Sequence, residues 1–166
     1  TVSVDATKTA TFSGPLTFTG AEIKAGTGTL VLSGANAGAG GWTVNAGTLN
    51  VQNNTGLGAA GCTVAVADGA TLALQGGVTV GADPLTLAGN GVSTGGALRN
   101  VSGNNSYAGA VTVADGGARI ASDSGTLTLS GTIDGQTAAN PLVLSGNGAI
   151  VASGIIGGTS VMITNT

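Results

Sequence analysis

Histidine is absent from this chain, and cysteine, proline and aromatic residues number only one, three and four among 166 positions. Without histidine the chain cannot form a Ser-His-Asp catalytic site, and it lacks the commonest metal-binding side chain. The single cysteine, Cys62, cannot form an internal disulfide, and we interpret it as a small core residue. We therefore expect no cofactor and no metal site.

Charge is scarce as well. The formal net charge is −3, and the only cations are Lys8, Lys24, Arg99 and Arg119. Because so few cations cannot neutralise a phosphate backbone, we expect neither a nucleic acid nor an anionic membrane surface as a partner. The apolar stretch at 149–163 is shorter than the roughly 20 residues of a membrane-spanning helix and is interrupted by glycines, so we expect no membrane insertion by this segment.

Glycine is abundant, at 32 positions, and it is accompanied by enough aliphatic residues to bring the mean hydropathy to +0.41. A chain that stays unfolded has few apolar residues and a high net charge, and this chain has neither property. Since aromatic residues make up only 2% of it, the core must be thin and aliphatic. Such a core suits β-layers that lie one side chain apart.

The sequence also aligns with itself. Shifted by 69 positions, residues 14–56 fall on residues 83–125 without a gap and match at 14 of 43 positions. A second shift, of 57 positions, aligns Asp83–Gly91 with Asn140–Gly148, and the three prolines then occupy equivalent positions. These shifts divide the chain into repeat units at about 15–83 and 84–140, with a partial unit at 141–166.

Two short patterns recur within these units. One is L-x-[LF]-x-G, as at Leu16–Gly20 and Leu127–Gly131, and it predicts a strand with both apolar side chains on one face. The other is T-V-x-x-G, at Thr43–Gly47 and Thr112–Gly116, and it predicts a short strand that runs into a tight turn. No apolar spacing typical of a helix is present over a useful length.

Strands this short, joined by tight turns, predict an all-β fold in which coils of roughly 20 to 23 residues stack on one another. We predict a right-handed parallel β-helix, or β-solenoid, that forms a single segment over residues 1–166 and makes roughly seven coils. Its interior is predicted from the alternation of apolar residues in the strands. The predicted inward residues are Leu16, Phe18, Leu30, Leu32, Val44, Leu49, Val51, Leu72, Leu74, Leu85, Leu87, Val111, Val113, Ile120, Leu127, Leu129, Leu142 and Leu144.

Three stretches resemble known bacterial sequences. Leu30–Val51, L-V-L-S-G-A-N-A-G-A-G-G-W-T-V-N-A-G-T-L-N-V, is similar to the passenger-associated repeat of autotransporters, L-T-L-S-G-x-N-T-Y-T-G-G-T-T-V-x-x-G-T-L. Ser102–Ile120 resembles a second copy, and Gly125–Gly135 resembles a linking segment of the same proteins. The resemblance implies a secreted β-helical passenger, extracellular and held on the bacterial cell surface. It is poor evidence for any one activity, because such repeats support passengers of many kinds.

The candidate functional side chains are few. Asp115 and Asp134 lie about one coil apart in the sequence and are the only carboxylates that we expect to stack as a pair. Trp42 and Tyr107 could serve as sugar-stacking platforms, but for both rings we favour a role in core or lateral packing. We predict no catalytic, cofactor-binding or metal-binding residue.

The function predicted from these residues is that of a non-enzymatic structural or adhesive stalk in a bacterial surface protein. Its expected partners are adjacent β-helical coils, of the same or another copy, and a host surface or carbohydrate. Because both ends of the chain read as strands, self-assembly end to end into an extracellular filament is an alternative. A polysaccharide-active enzyme on the same fold is a further alternative.

Overall fold

The structure is a computed structural model that describes residues 1–158 and 161–163. Over this range the chain forms 18 strands and one short 3-10 turn, Val92–Thr94, and all strand pairs are parallel. We number the strands β1 to β18 in chain order and assign them to three faces, A, B and C. The prediction of an all-β parallel solenoid is confirmed.

Each coil of the chain contributes to the faces in the order A, B, C. Face A contains β1 (Val2–Ser3), β3 (Glu22–Ala25), β5 (Trp42–Val44), β7 (Val64–Val66), β10 (Leu85–Gly89), the first part of β13 (Val111–Ser122) and β15 (Ile133–Asp134). Face B contains β2 (Thr9–Phe12), β4 (Thr29–Leu32), β6 (Thr48–Val51), β8 (Thr71–Gln75), β11 (Leu98–Ser102), the second part of β13, β16 (Leu142–Ser145) and β18 (Val161–Ile163). Face C contains β9 (Thr79–Val80), β12 (Asn105–Tyr107), β14 (Thr126–Leu129) and β17 (Ala149–Ala152).

The register of the strand pairs shows how the coils stack. On face A, Trp42 lies between Glu22 of the coil below and Val64 of the coil above, and Leu85 lies between Val64 and Val111. The same parallel progression on the other faces gives about seven turns, as predicted. Strand β13 bends through the corner between faces A and B, and it thereby joins both faces into one 14-stranded sheet.

The predicted interior is confirmed. Of the 18 residues predicted to point inward, 15 are buried, and Leu16, Phe18 and Leu144 are partly buried against the same core. The core is continuous because each strand directs alternate side chains inward, where they lie above the equivalent side chains of the previous coil. Burial of one such side chain contributes about 1.5 to 3 kcal/mol before the entropy of ordering is counted.

The three prolines do not occupy one position in the coil, which corrects the expectation from the sequence shifts. Pro84 precedes β10 on face A, and Pro141 precedes β16 on face B. Pro15 precedes residues 16–18, which lie on the third side and whose carbonyls accept hydrogen bonds from Ala37 and Ala39. The pattern L-x-[LF]-x-G therefore encodes a strand and a turn without specifying the face, because all three faces pack against the same aliphatic interior.

One excursion interrupts the regular coils, between β10 and β11, and it contains the 3-10 turn. Thr71 of the coil below holds this excursion, since its hydroxyl accepts a hydrogen bond from the Val92 N–H and donates one to the Gly96 carbonyl, both at 2.9 Å. No helix among the described residues has the length and apolarity needed to cross a membrane.

Candidate functional site

The two aromatic residues considered as ligand contacts lie inside the solenoid. Trp42 is 2% exposed and Tyr107 is fully buried, so neither ring presents a face to solvent. Of the two roles considered for Trp42 and Tyr107, this burial agrees with the favoured packing role, because a stacking platform needs an exposed ring face. The indole Nε1 of Trp42 and the hydroxyl of Tyr107 have no hydrogen-bond partner within the described residues.

Trp42 and Tyr107 fill the interior of the two similar segments in different ways. Tyr107 corresponds in the 69-residue shift to Gly38, and a side chain at Gly38 would overlap the ring of Phe18. Phe18, from the coil below Gly38, packs edge to face against Trp42, with 5.8 Å between ring centroids and 77° between ring planes. In the first segment the interior is filled by two rings, Phe18 and Trp42, from neighbouring coils. In the second segment it is filled by the single ring of Tyr107.

Asparagines at the corner between faces B and C connect adjacent coils. The Asn36 side chain accepts a hydrogen bond from the Leu16 N–H of the coil below, at 2.9 Å, and donates to the Gly56 carbonyl of the coil above, at 2.6 Å. Asn105, which corresponds to Asn36 in the 69-residue shift, accepts hydrogen bonds from the N–H groups of Gly77 and Val78 at 2.9 and 2.7 Å. These asparagines satisfy backbone donors that the turn leaves without a strand partner.

A second buried asparagine extends this network across three coils. The side-chain amide of Asn105 donates to the Asn100 side-chain oxygen and to the Ser102 carbonyl. Asn100 in turn donates to the Ser122 hydroxyl at 2.9 Å and to the Ser124 carbonyl at 3.0 Å, both in the coil above. A fully satisfied polar network of this kind favours one register between coils over its alternatives.

Lys24 is fully buried at the corner between faces A and B. Nothing in the sequence pattern predicted that this lysine would be buried. Its ammonium donates to the carbonyls of Ala25, Gly26 and Ala46, at 3.0, 2.7 and 2.9 Å, and so joins its own coil to the next. Burial lowers the pKa of this ammonium. From the sequence, Lys24 could be counted only as one of four cations, because alternation alone cannot distinguish a buried lysine from an exposed one.

Asp83 is also buried, with 3% of its surface exposed, at the corner between faces C and A. Its carboxylate accepts hydrogen bonds from the N–H groups of Gly61 and Cys62, at 2.7 and 3.1 Å. Burial raises the pKa of the Asp83 carboxyl, and the two backbone hydrogen bonds oppose that shift. Burial and the charge of Asp83 together raise the pKa of the Tyr107 phenol far above its usual range.

Cys62 is buried, as predicted for a core residue, and its thiol contacts the Gly38 carbonyl at 3.2 Å. The Gly38 carbonyl, the Cys62 thiol and the Asp83 carboxylate lie at the same corner in three successive coils. Their contacts are to backbone groups of adjacent coils, so this corner functions in stacking.

The carboxylates expected to stack do not form a pair. Asp134 lies in register with Thr112, and its carboxylate accepts a hydrogen bond from the N–H of Gly135 at 2.8 Å. Asp115 lies three residues beyond Thr112 in the bend of β13, and it accepts a hydrogen bond from Asn140 at 3.2 Å. The prediction was wrong because the coil from Thr112 to Asp134 has 22 residues, whereas Asp115 and Asp134 are only 19 residues apart. Within the described residues, no group of three potential metal ligands comes together.

Columns of glycine allow the coils to approach closely at the corner between faces C and A. A side chain at Gly40 would overlap the Gly20 peptide of the coil below, and one at Gly109 would overlap the Asp83 peptide. Gly131 lies above Gly109 in the same way. These glycines are required by space, since their backbone angles are ones that other residues also adopt.

These observations define a parallel β-solenoid whose distinctive residues hold one coil to the next. Residues 23–51 and 100–117 match the family described as the passenger-associated-transport-repeat. These two segments are therefore passenger-associated repeats, and the resemblance seen in Leu30–Val51 and Ser102–Ile120 is confirmed. The matched residues include β3 to β6 in the first case, and Asn105 and Tyr107 in the second.

The chain is also similar to the adhesin BmaC autotransporter of Brucella suis biovar 1 (strain 1330). The two are 43% identical over 115 residues, which are 65% of this chain and 3% of that adhesin. The chain thus spans only a small part of the length of this relative. No solved structure gives a significant match.

Proposed function

We propose that this chain is a non-enzymatic structural segment of an adhesive passenger, located outside the cell on a bacterial surface. The observation that carries the proposal is the uninterrupted stack of parallel coils, which contains two passenger-associated repeats. Similarity to an autotransporter that is named an adhesin supports the adhesive and extracellular parts of the proposal.

The interior explains how such a segment would work mechanically. Adjacent coils are joined by backbone ladders, and several of them also by asparagine bridges and glycine corners, so bending or extending the rod requires breaking several hydrogen bonds at once. The segment would therefore act as a stiff spacer that holds adhesive regions away from the cell. Its own partners would be adjacent coils, and its outer faces are where a host surface or carbohydrate would make contact.

Surface display tests this proposal. The segment is displayed on bacteria through an autotransporter translocator, with an epitope tag at its outer end, and compared with a Gly40→Ala variant in which one corner is blocked. We expect the native segment to be protease resistant and its tag accessible, and the variant to be cleaved. Equal protease sensitivity of both forms, or no surface exposure of the native form, would contradict the proposal.

Two measurements on the purified chain separate the alternatives. Ordered polymers in negative-stain microscopy would support the filament, whereas a structural segment should remain dispersed or aggregate without order. Turnover of a polysaccharide that is lost on Asp115→Asn or Asp134→Asn substitution would support an enzyme. We expect neither result.

A further inference from the structure

The sequence Asn-Gly occurs twice, and both asparagine side chains are exposed. Asn90–Gly91 lies at the start of the excursion between β10 and β11, and Asn147–Gly148 follows β16. A glycine after asparagine leaves the next backbone nitrogen least hindered, because no Cβ blocks its approach to the asparagine side chain. Both positions are therefore chemically competent for attack of that nitrogen on the side-chain amide.

The two glycine nitrogens differ in their hydrogen bonds. The N–H of Gly148 donates to the Ser122 carbonyl of the coil below, at 2.7 Å. The N–H of Gly91 has no acceptor among residues 1–158, although Gly91 is buried beneath the 3-10 turn. Buried backbone donors are nearly always paired, so an unpaired one is unusual. No acceptor has to release the Gly91 N–H before that nitrogen loses its proton, although the carbonyl of the same peptide accepts a hydrogen bond from the Gly96 N–H.

We propose that Asn90 is a site of spontaneous deamidation and that Asn147 is protected from it. The Gly91 nitrogen attacks the side-chain carbonyl carbon of Asn90 and loses its proton to solvent, and the side-chain nitrogen takes up a proton from solvent and leaves as ammonia. A five-membered succinimide remains. Water then adds to either carbonyl of the ring and opens it, which gives aspartate or isoaspartate, with no oxidant or enzyme involved.

The modification would change the corner between faces A and B. It adds a carboxylate to a corner that already presents the exposed Asp68 and Asp115, and it takes the formal net charge from −3 to −4. The Gly96 N–H donates a hydrogen bond to the Asn90 carbonyl at 2.8 Å and thereby closes a turn. The isoaspartate product adds one backbone atom within this turn. The excursion should therefore loosen while the coils above and below persist.

Mass spectrometry of the folded chain tests the proposal. Trypsin cleaves after Lys24, Arg99 and Arg119, so the two sites fall in different peptides, 25–99 and 120–166. After incubation at mildly alkaline pH, we expect Asn90 to convert at least about fivefold faster than Asn147, since the attacking N–H of Gly148 must first lose its acceptor, the Ser122 carbonyl, and that of Gly91 has no acceptor to lose. In concentrated urea, where that bond is absent, the two rates should converge.

An Asn90→Gln variant provides the control, because the longer side chain disfavours the five-membered ring and should remove the mass gain from peptide 25–99. Equal rates at the two sites in the folded chain would overturn the proposal. Faster conversion of Asn147 would overturn it as well. The result is independent of the proposed surface function, because it depends only on the local geometry of the folded chain.

Discussion

The two passenger-associated repeats form the same strand, turn and strand, but different rings fill their interiors. In the first repeat, Gly38 leaves room for Phe18 of the coil below, and that ring packs against Trp42. In the second, Tyr107 occupies the position of Gly38, and Val111 occupies that of Trp42. The comparison shows that volume is conserved over neighbouring coils rather than within one repeat, since a packed interior tolerates neither a cavity nor an overlap.

Removal of either ring should give the largest loss of stability. We expect Trp42→Ala and Tyr107→Ala each to lower the free energy of unfolding by about 3 to 5 kcal/mol, because each leaves a cavity in a dry core. Urea unfolding measures the change, and Thr86→Ala, on the exposed side of face A, is the control. A loss no larger than that of the control would show that the ring is not part of the packed interior.

Blocking the corner glycines should be nearly as damaging, and equally so in both repeats. Gly40→Ala and Gly109→Ala should each cost about 3 kcal/mol, because the new methyl group overlaps the peptide of the coil below. Gly20→Ala is the matched control, since it lies at the same corner with nothing within 4 Å of the added atom. If all three variants unfold at the same urea concentration, the coils are not in the close contact described.

The bridging asparagines should differ between the repeats. We expect Asn105→Ala to cost about 2 to 3 kcal/mol, because it leaves the buried N–H groups of Gly77 and Val78 unpaired. Asn36→Ala should cost about 1 to 2 kcal/mol, since only the Leu16 N–H loses its acceptor. Thermal unfolding in parallel reports the order, and a larger loss for Asn36→Ala would contradict the inferred network.

The unpaired hydroxyl of Tyr107 predicts a gain in stability. Tyr107→Phe should raise the free energy of unfolding by about 1 kcal/mol, because it removes a buried polar atom that has no partner in the described residues while keeping the ring. Calorimetry measures the gain. A loss on substitution would mean that the hydroxyl has a favourable interaction in solution.

The smallest expected effect is the pH dependence contributed by Asp83. Because the folded state raises the pKa of this carboxyl above 3.8, it binds the proton more readily than the unfolded chain does. The stability from this group is therefore greatest below 3.8 and is lost as the pH rises through the folded pKa. Asp83→Asn should accordingly gain stability relative to the native chain at about pH 7 and gain less in acid.

Urea unfolding of both forms at the two pH values tests this sign. The asparagine keeps a side-chain oxygen that can accept from Gly61 and Cys62, so it retains the same hydrogen bonds. If Asp83→Asn is less stable than the native chain at neutral pH but not in acid, the predicted direction of the pKa shift is wrong.

The regular part of the fold could be predicted from the sequence because it follows from alternation. Leu85–Leu87 and Leu127–Leu129 each consist of two apolar residues separated by a threonine, which predicts two inward side chains and one outward side chain, and the structure confirms this arrangement. The glycine that ends each L-x-[LF]-x-G and T-V-x-x-G pattern predicted a turn at that position. These are local properties, and they do not depend on which face of the coil a strand joins.

The rest depends on contacts between coils that no local pattern records. Asp115 and Asp134 were expected to stack, but the coil is longer than their separation in sequence, so that Asp134 lies beside Thr112 instead. The buried Lys24 and Asp83 were not predicted, because each has a backbone partner more than 20 residues away in a neighbouring coil. Trp42 and Tyr107 could be assigned to the interior only once the neighbouring coil that covers them was known.

The most direct test of the account is a set of distances along one outward row. Ile23, Thr43, Thr86 and Thr112 lie on the exterior side of face A, with Ala65 between Thr43 and Thr86. Spin labels on Thr112 and on each of the others should give separations that increase by about 4.8 Å for every coil. Separations that do not increase in this order would contradict a parallel stack of coils.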